Sequence, residues 1–291
     1  MSPTSFTTLS ESGKVHPTSQ AGFGQGKAEL YDSVRPSYPP EALSNIRKLV
    51  AGKSGLNVVE IGCGSGKFTR VLLAHPEWEQ SIKELKCIEP NEGMRAVFSK
   101  TVDDPRVSLS EGTFDATGVP DHWADLIVIA TAFHWCQDLE AATEEFIRIL
   151  KSDGVVCLIW ITDDTDTVAW VQQAYEFCLP FLDDTPSSGE GRLQWIRIFS
   201  LPRYKENFSA PENDTIRFIE QRTIENALAF YMSWSGIAML PDDKKGKVKE
   251  QVKTIIKQGD ELVWVNEKEG ILEMPFVTYL VTFRRGQGAG N

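Results

Sequence analysis

The sequence predicts an α/β fold: a mostly parallel sheet with helices on both faces. Three observations carry this. Runs of Val, Ile and Leu such as 125–130 and 155–161 are apolar without alternation, as strands buried on both faces must be. Stretches with helical spacing of apolar residues separate them. A glycine-rich turn lies where the first strand passes into the first helix, the edge at which open α/β sheets bind ligands.

The elements follow in order. Residues 56–61 form the first strand, and a helix begins near Lys67. Residues 85–88 are a second strand, 92–100 a helix and 107–109 a short third strand. A fourth strand spans 125–130, a helix 138–150 and a fifth strand 155–161. After Thr162 the pattern changes to helical stretches bearing Trp170, Tyr175, Trp195 and Phe199, broken by a loop at 183–191. A strand at 215–220, helices around 224–233 and 244–257, and strand-like runs at 261–265 and 275–284 complete the chain. This half is read as the last strands of the same sheet with a helical cap inserted among them. The expected organisation is a disordered lead-in (1–24), a cofactor-binding core (25–162), cap and final strands (163–285) and a flexible tail (286–291).

With 41% hydrophobic and 24% charged residues, the 291-residue chain is able to bury a sizeable core. A net charge of -11 weighs against a nucleic-acid-binding surface, which needs clustered Lys and Arg. No apolar run reaches the length of a membrane span, and the Ser/Thr-rich N-terminus lacks the apolar stretch of a secretory signal. Five scattered cysteines read as buried thiols rather than a disulfide framework or a metal site. The expected address is the cytoplasm, without nucleic acid or membrane as partner. The oligomeric state is not legible.

The sharpest signal is Val58-Val59-Glu60-Ile61-Gly62-Cys63-Gly64-Ser65-Gly66-Lys67. A dinucleotide fingerprint needs G-x-G-x-x-G, but Lys67 stands where the last glycine belongs. A phosphate-binding P-loop fails as well, because Phe68 follows Gly66-Lys67 and the first glycine is misplaced. Glu60, two places before the first glycine, repels a pyrophosphate and favours a cationic ligand. S-adenosylmethionine, with its sulfonium and ammonium, suits such a loop. Glu89, at the end of the second strand, is placed to accept both ribose hydroxyls, with Pro90 and Met94 offering apolar surface to the adenine.

These segments, with residues 124–135, resemble the motifs of the seven-stranded, Rossmann-like class I methyltransferases. More narrowly, Tyr31-Asp32-Ser33-Val34-Arg35-Pro36-Ser37-Tyr38-Pro39 and Ala132-Phe133-His134-Trp135 are similar to the fungal trans-aconitate methyltransferase-like family. Ser233-Trp234-Ser235 and residues 275–285 are similar to it too, so the resemblance covers about 25–285. It implies that Gly62, Cys63 and Gly64 pack against the methionine part, with Glu60 nearby, and that Gly66 and Ala130 also belong to the cofactor site. It further implies that Phe114 and Asp115 flank the adenine and that Tyr31 covers the cofactor. Arg35, Tyr38, Trp135 and Trp234 are expected around the acceptor.

Methyl transfer is an in-line displacement, so much of its rate comes from placing the nucleophile. A carboxylate acceptor needs no base, whereas a phenol, alcohol or amine gains from one. His134, following the fourth strand, is the candidate base or positioning residue. Arg192, Arg197 and Arg203 are further cations for pairing an acceptor carboxylate. The favoured reading is O-methylation of a carboxylate or hydroxyl on a small molecule. The alternatives are a macromolecular acceptor, or a protein that binds the cofactor without transferring methyl.

Overall fold

The computed structural model describes residues 27–182 and 191–286. The expected lead-in, the loop at 183–190 and all but the first residue of the expected tail lie outside them. The strands are β1 (Leu56–Ile61), β2 (Ile82–Ile88), β3 (Val107–Ser110), β4 (Ala124–Ala130), β5 (Leu150–Asp163), β6 (Glu212–Thr223), β7 (Trp264–Asn266) and β8 (Ile271–Arg284). The helices of the first half are α1 (Lys27–Val34), α2 (Pro40–Leu49), α3 (Lys67–Ala74), α4 (Pro76–Glu79), α5 (Glu92–Thr101) and α6 (Leu139–Ile149). Those of the second half are α7 (Ala169–Cys178), α8 (Pro202–Asn207), α9 (Ile224–Met232), α10 (Ser235–Ala238) and α11 (Asp242–Gln258).

One sheet runs in the order β3-β2-β1-β4-β5-β8-β6, with the three-residue β7 attached to β8. β1 through β5 pair in parallel, whereas β8 is antiparallel to β5, β6 and β7. The chain moves outward through β2 and β3, then returns to the other side of β1 with β4. That reversal opens a crevice at the carboxyl ends of β1 and β4.

Both faces are covered. Val58, Leu126, Val128 and Cys157 share one core with Trp78, Trp170, Phe230 and Ile256. Val59, Ile127, Ile129 and Leu158 share the other with Phe133, Phe146, Ile198 and Phe208. Buried neighbours in sequence thus point to opposite cores, which is why these strands read as unbroken apolar runs. The helices α7, α9 and α11, inserted between the last strands, join the first of these cores through Trp170, Phe230 and Ile256.

Several boundaries differ from the sequence reading. β8 begins at Ile271, four residues before Pro275. Proline breaks a ladder flanked on both sides, but pairing with β5 ends at Asp163↔Phe276, so the ladder partner of Pro275 is Ile219 of β6, and its carbonyl accepts the Asp164 N–H at 3.1 Å just past β5. The expected strand at 261–265 shrinks to Trp264–Asn266, since Glu261 has a positive φ of 65°. α2 has no counterpart in the sequence reading. It starts on Pro40 after Pro39, carries Glu41 in its first turn and Arg47 and Lys48 in its last, and buries Ala42, Leu43 and Ile46. Among the described residues no helix is long and apolar enough to cross a membrane. No cluster of metal-ligating side chains occurs among them either.

Candidate active site

The crevice holds a cavity of about 430 Å³, within the range of small-molecule sites. The glycine loop forms its floor. Gly62, Gly64 and Gly66 all have positive φ (75°, 56° and 83°), which L side chains rarely adopt. Their surroundings differ. A Cβ on Gly62 would lie 2.7 Å from the Ala132 Cβ, so the β1 and β4 turns meet only because nothing stands between them. A Cβ on Gly64 would have no neighbour within 4 Å, leaving that backbone open to the cavity. On Gly66 it would strike Val102 at 2.7 Å and Phe98 at 2.9 Å. Gly66 is therefore the packing point of α5 against the start of α3. It lies outside the cavity lining, although the sequence reading counts it among the cofactor-binding residues.

Four carboxylates stand in the wall, Glu60, Glu89, Asp115 and Asp138, the last capping α6 by accepting the Ala141 N–H at 2.9 Å. Glu60 is 1% exposed, and its Oε2 accepts a 2.6 Å hydrogen bond from Thr69 Oγ1. Its Oε1 is buried without a hydrogen-bond partner. Burial pushes the Glu60 carboxyl up to about 8, the Thr69 bond opposing and the neighbouring Glu89 reinforcing the shift. Glu89 closes the loop from β2: its Oε2 accepts the Gly64 N–H at 2.9 Å and its Oε1 the Asn91 N–H at 2.8 Å. Burial raises its pKa too, against the pull of those two bonds and of Arg95. Asp115 accepts a 2.6 Å bond from Thr113 Oγ1 in a turn whose Phe114 ring meets Phe133 edge-on at 5.5 Å.

The N-terminal segment covers the loop. Asp32 of α1 accepts bonds from Ser65 Oγ at 2.6 Å and from two Arg70 contacts at 2.7 and 2.9 Å. Its carbonyl accepts Lys67 Nζ at 2.6 Å. Burial lowers the Lys67 pKa, against the attraction of Asp32. Arg35 and Tyr38 then enter the lining. Arg35 Nη2 donates to the Ser233 carbonyl at 3.3 Å, with its guanidinium 5.3 Å from the Phe230 centroid. The Tyr38 hydroxyl lies 3.0 Å from Thr131 Oγ1, and its ring meets Phe68 edge-on at 5.1 Å. Thr131 itself has φ +53°, a strained conformation for a β-branched residue costing on the order of 1–3 kcal/mol. Its N–H donates to the Ile159 carbonyl at 2.7 Å.

The cavity thus gathers Glu60, Gly62, Cys63, Gly64, Glu89, Pro90, Met94, Phe114, Asp115 and Ala130, with Arg35, Tyr38 and Trp135. It does not gather His134. Residues Phe133–Trp135 form one 3-10 turn, whose three side chains diverge by about a third of a turn each. Phe133 enters the core and Trp135 the cavity wall, while His134 meets Trp160, whose indole N–H donates to His134 Nδ1 at 3.3 Å. That bond occupies Nδ1 and places the neutral ring's proton on Nε2. Trp234 is also absent from the lining: it is 7% exposed, packed among Tyr175, Phe230 and Tyr231. The Tyr31 and Arg192 side chains lie outside the described residues. Arg197 is exposed, and Arg203 pairs on the surface with Glu144 and Glu206. Sequence reasoning missed Ser65, Lys67, Thr131, Cys136 and Asp138 in the lining. Position after a buried strand was a signal for Thr131; its backbone conformation left none.

Residues 59–158 match the family model described as a methyltransferase domain. A methyltransferase-like protein of Schizosaccharomyces pombe is 29% identical over 228 residues, covering 78% of this chain and 83% of that protein. A probable S-adenosylmethionine-dependent methyltransferase of Saccharomyces cerevisiae is 33% identical over 129 residues, 43% of this chain and 42% of its own. A solved putative type II methyltransferase from Anaeromyxobacter dehalogenans shares the fold with a TM-score of 0.58. It is 19% identical over 88% of this chain and 99% of that one.

Proposed function

We propose that this class I S-adenosylmethionine-dependent methyltransferase methylates a carboxylate oxygen of a small molecule. S-adenosylmethionine is its methyl donor, and the cavity wall fits that ligand. The buried, unpartnered Glu60 Oε1 suits an ammonium, and the open side of Gly64 suits close approach of the methionine part. Each Glu89 oxygen accepts one backbone N–H and keeps a lone pair for a ribose hydroxyl. Pro90, Met94 and Phe114 offer apolar surface to the adenine, and Asp115 an acceptor for its amino group. When bound, the donor supplies a methyl carbon activated by a sulfonium leaving group.

One observation carries the carboxylate assignment. Among the described lining residues there is no histidine, while the guanidinium of Arg35 and the hydroxyls of Tyr38 and Thr131 are present. Glu60 and Glu89 are committed to the donor. The other titratable groups of the wall are engaged in the fold, Asp115 by Thr113, Asp138 by the Ala141 N–H and Lys67 by the Asp32 carbonyl, whereas the cation and hydroxyl donors suit an anion already able to attack. The similarity of residues 31–39 and 132–135 to methyltransferases of small organic acids supports the same reading.

The test incubates the protein with methyl-labelled donor and panels of small carboxylic acids, phenols and amines, read by mass spectrometry. Labelled methyl esters are expected, formed at saturating donor at a rate nearly flat between about pH 6 and 8, since no proton need leave the acceptor. Labelled ethers or methylamines in place of esters, with a rate rising through that range, would refute the assignment.

A further inference from the structure

Among the described residues, three that are not glycine have positive φ: His122, Thr131 and Glu261. Of these, Thr131 alone is β-branched and alone lines the cavity. Asn, Asp or Gly would occupy that backbone more cheaply, so a β-branched residue there sets stability against some other demand. The strain is held by the Thr131 N–H on the Ile159 carbonyl and by the tight seating of Ala132 over Gly62. These two contacts fix the residue at the carboxyl end of β4, between Ala130 on the donor side and Tyr38 on the other.

The hydroxyls of Thr131 and Tyr38 are 3.0 Å apart, and either can be the donor. One hydrogen occupies that line. With Tyr38 donating, the Thr131 hydrogen remains for a third oxygen. The Tyr38 ring is pinned against Phe68, so the pair is presented from fixed supports rather than from mobile side chains. Arg35, three residues before Tyr38, contributes a cation to the same lining and is itself held by the Ser233 carbonyl and Phe230.

We propose that Thr131 is a positioning residue for the acceptor, its hydroxyl binding the non-reacting oxygen of the carboxylate while Arg35 neutralises the group. This rests on the carboxylate reading above. The other carboxylate oxygen keeps a lone pair for the methyl carbon: the new O–C bond forms as the S–C bond breaks, and the electron pair of the breaking bond passes to sulfur. The products are a neutral ester and a thioether, and no proton is transferred. The Thr131 hydroxyl orients the nucleophile and withholds hydrogen bonding from the attacking oxygen, which a water molecule would otherwise supply.

The experiment compares T131S, T131V and T131G with the wild type, using labelled donor and a panel of four- to six-carbon di- and tricarboxylic acids beside a panel of phenols. Thermal midpoint and donor affinity by calorimetry are measured on each. T131S should keep ester formation within about threefold. T131V and T131G should each lose about tenfold to a hundredfold in kcat/KM, with donor affinity unchanged. T131G should melt higher than the wild type, because it relieves the strain, and still be impaired. A merely structural role predicts that activity follows the melting point instead. Ester formation by T131V at the wild-type rate overturns the role of Thr131 and leaves the carboxylate reading standing. Labelling of phenols and of no acid by the wild type overturns both.

Discussion

Glu60→Gln isolates the cost of a carboxyl group buried in the cofactor cavity. In the folded protein Glu60 titrates near 8 rather than at its ordinary 4.5, mainly because burial penalises its charge. The folded state therefore holds this proton more tightly than the unfolded chain does. The stability contributed is fully present below about pH 4.5 and is lost as pH rises through about 8. At about 1.4 kcal/mol per unit, roughly 3 kcal/mol is gone at pH 7 and about 5 kcal/mol above pH 9. The glutamine side chain retains an oxygen for the Thr69 hydroxyl and does not ionise. Melting curves of both proteins without ligand, from pH 5 to 9, should diverge as pH rises, the variant becoming relatively more stable. Every other titration is common to the two, so the difference belongs to this residue. Donor binding should show the complementary sign: wild-type affinity rises between pH 6 and 8 with release of about one proton, and E60Q loses that dependence. E60Q should also bind about tenfold to a hundredfold more weakly at pH 8, for want of a charged acceptor. Parallel melting curves across the whole pH range would refute the argument from burial.

Three further outcomes follow from the same geometry. E89A should weaken donor binding by about 2–3 kcal/mol in calorimetry, and should also lower the melting point, because the Gly64 and Asn91 N–H groups lose their acceptor. G66A should melt lower than G64A, by about 1–3 kcal/mol of stability, since only its Cβ meets Phe98 and Val102; G64A should suffer more in donor affinity, its Cβ entering the cavity. H134A should retain the wild-type shape of the pH–rate profile and lose about 1 kcal/mol of stability with the Trp160 bond, as thermal unfolding and steady-state rates will report.

Legibility tracked the range of the forces involved. β4 and the 155–159 stretch of β5 were plain in the sequence because their apolar residues face two cores in turn, and burial on both sides leaves an unbroken apolar signature. Glu60 is legible because it stands two places before the first glycine within one strand–turn–helix unit, and Glu89 because it ends the strand that follows that unit. The packing role of Gly66 was illegible for the opposite reason. Its neighbours Phe98 and Val102 are more than thirty residues away, and no local pattern announces them. The direction of His134 was illegible because of rotation: a 3-10 turn after β4 sends one of three consecutive side chains, Trp135, to the cavity wall, and sequence does not say which. α1 and α2 carry Pro, Ser and charge, and their helicity rests on docking against the rest of the chain, as Asp32 and Ile46 show.

The insertion of β8 between β5 and β6 also bears on how the chain is made. The parallel strands β1 to β5 can all pair once residue 163 has emerged, but β5 and β6 acquire their shared neighbour only after Arg284 has emerged, more than a hundred residues after β5. Until then the VVCLIWI segment of β5 presents a bare row of amide and carbonyl groups beside strongly apolar side chains, which is a template for pairing with another nascent chain. A premature stop before Ile271 would make that exposure permanent. Such a product retains the whole glycine loop, yet its fate is decided by an unfinished sheet margin some distance from the cofactor, and aggregation rather than mere inactivity is the outcome to expect in expression trials.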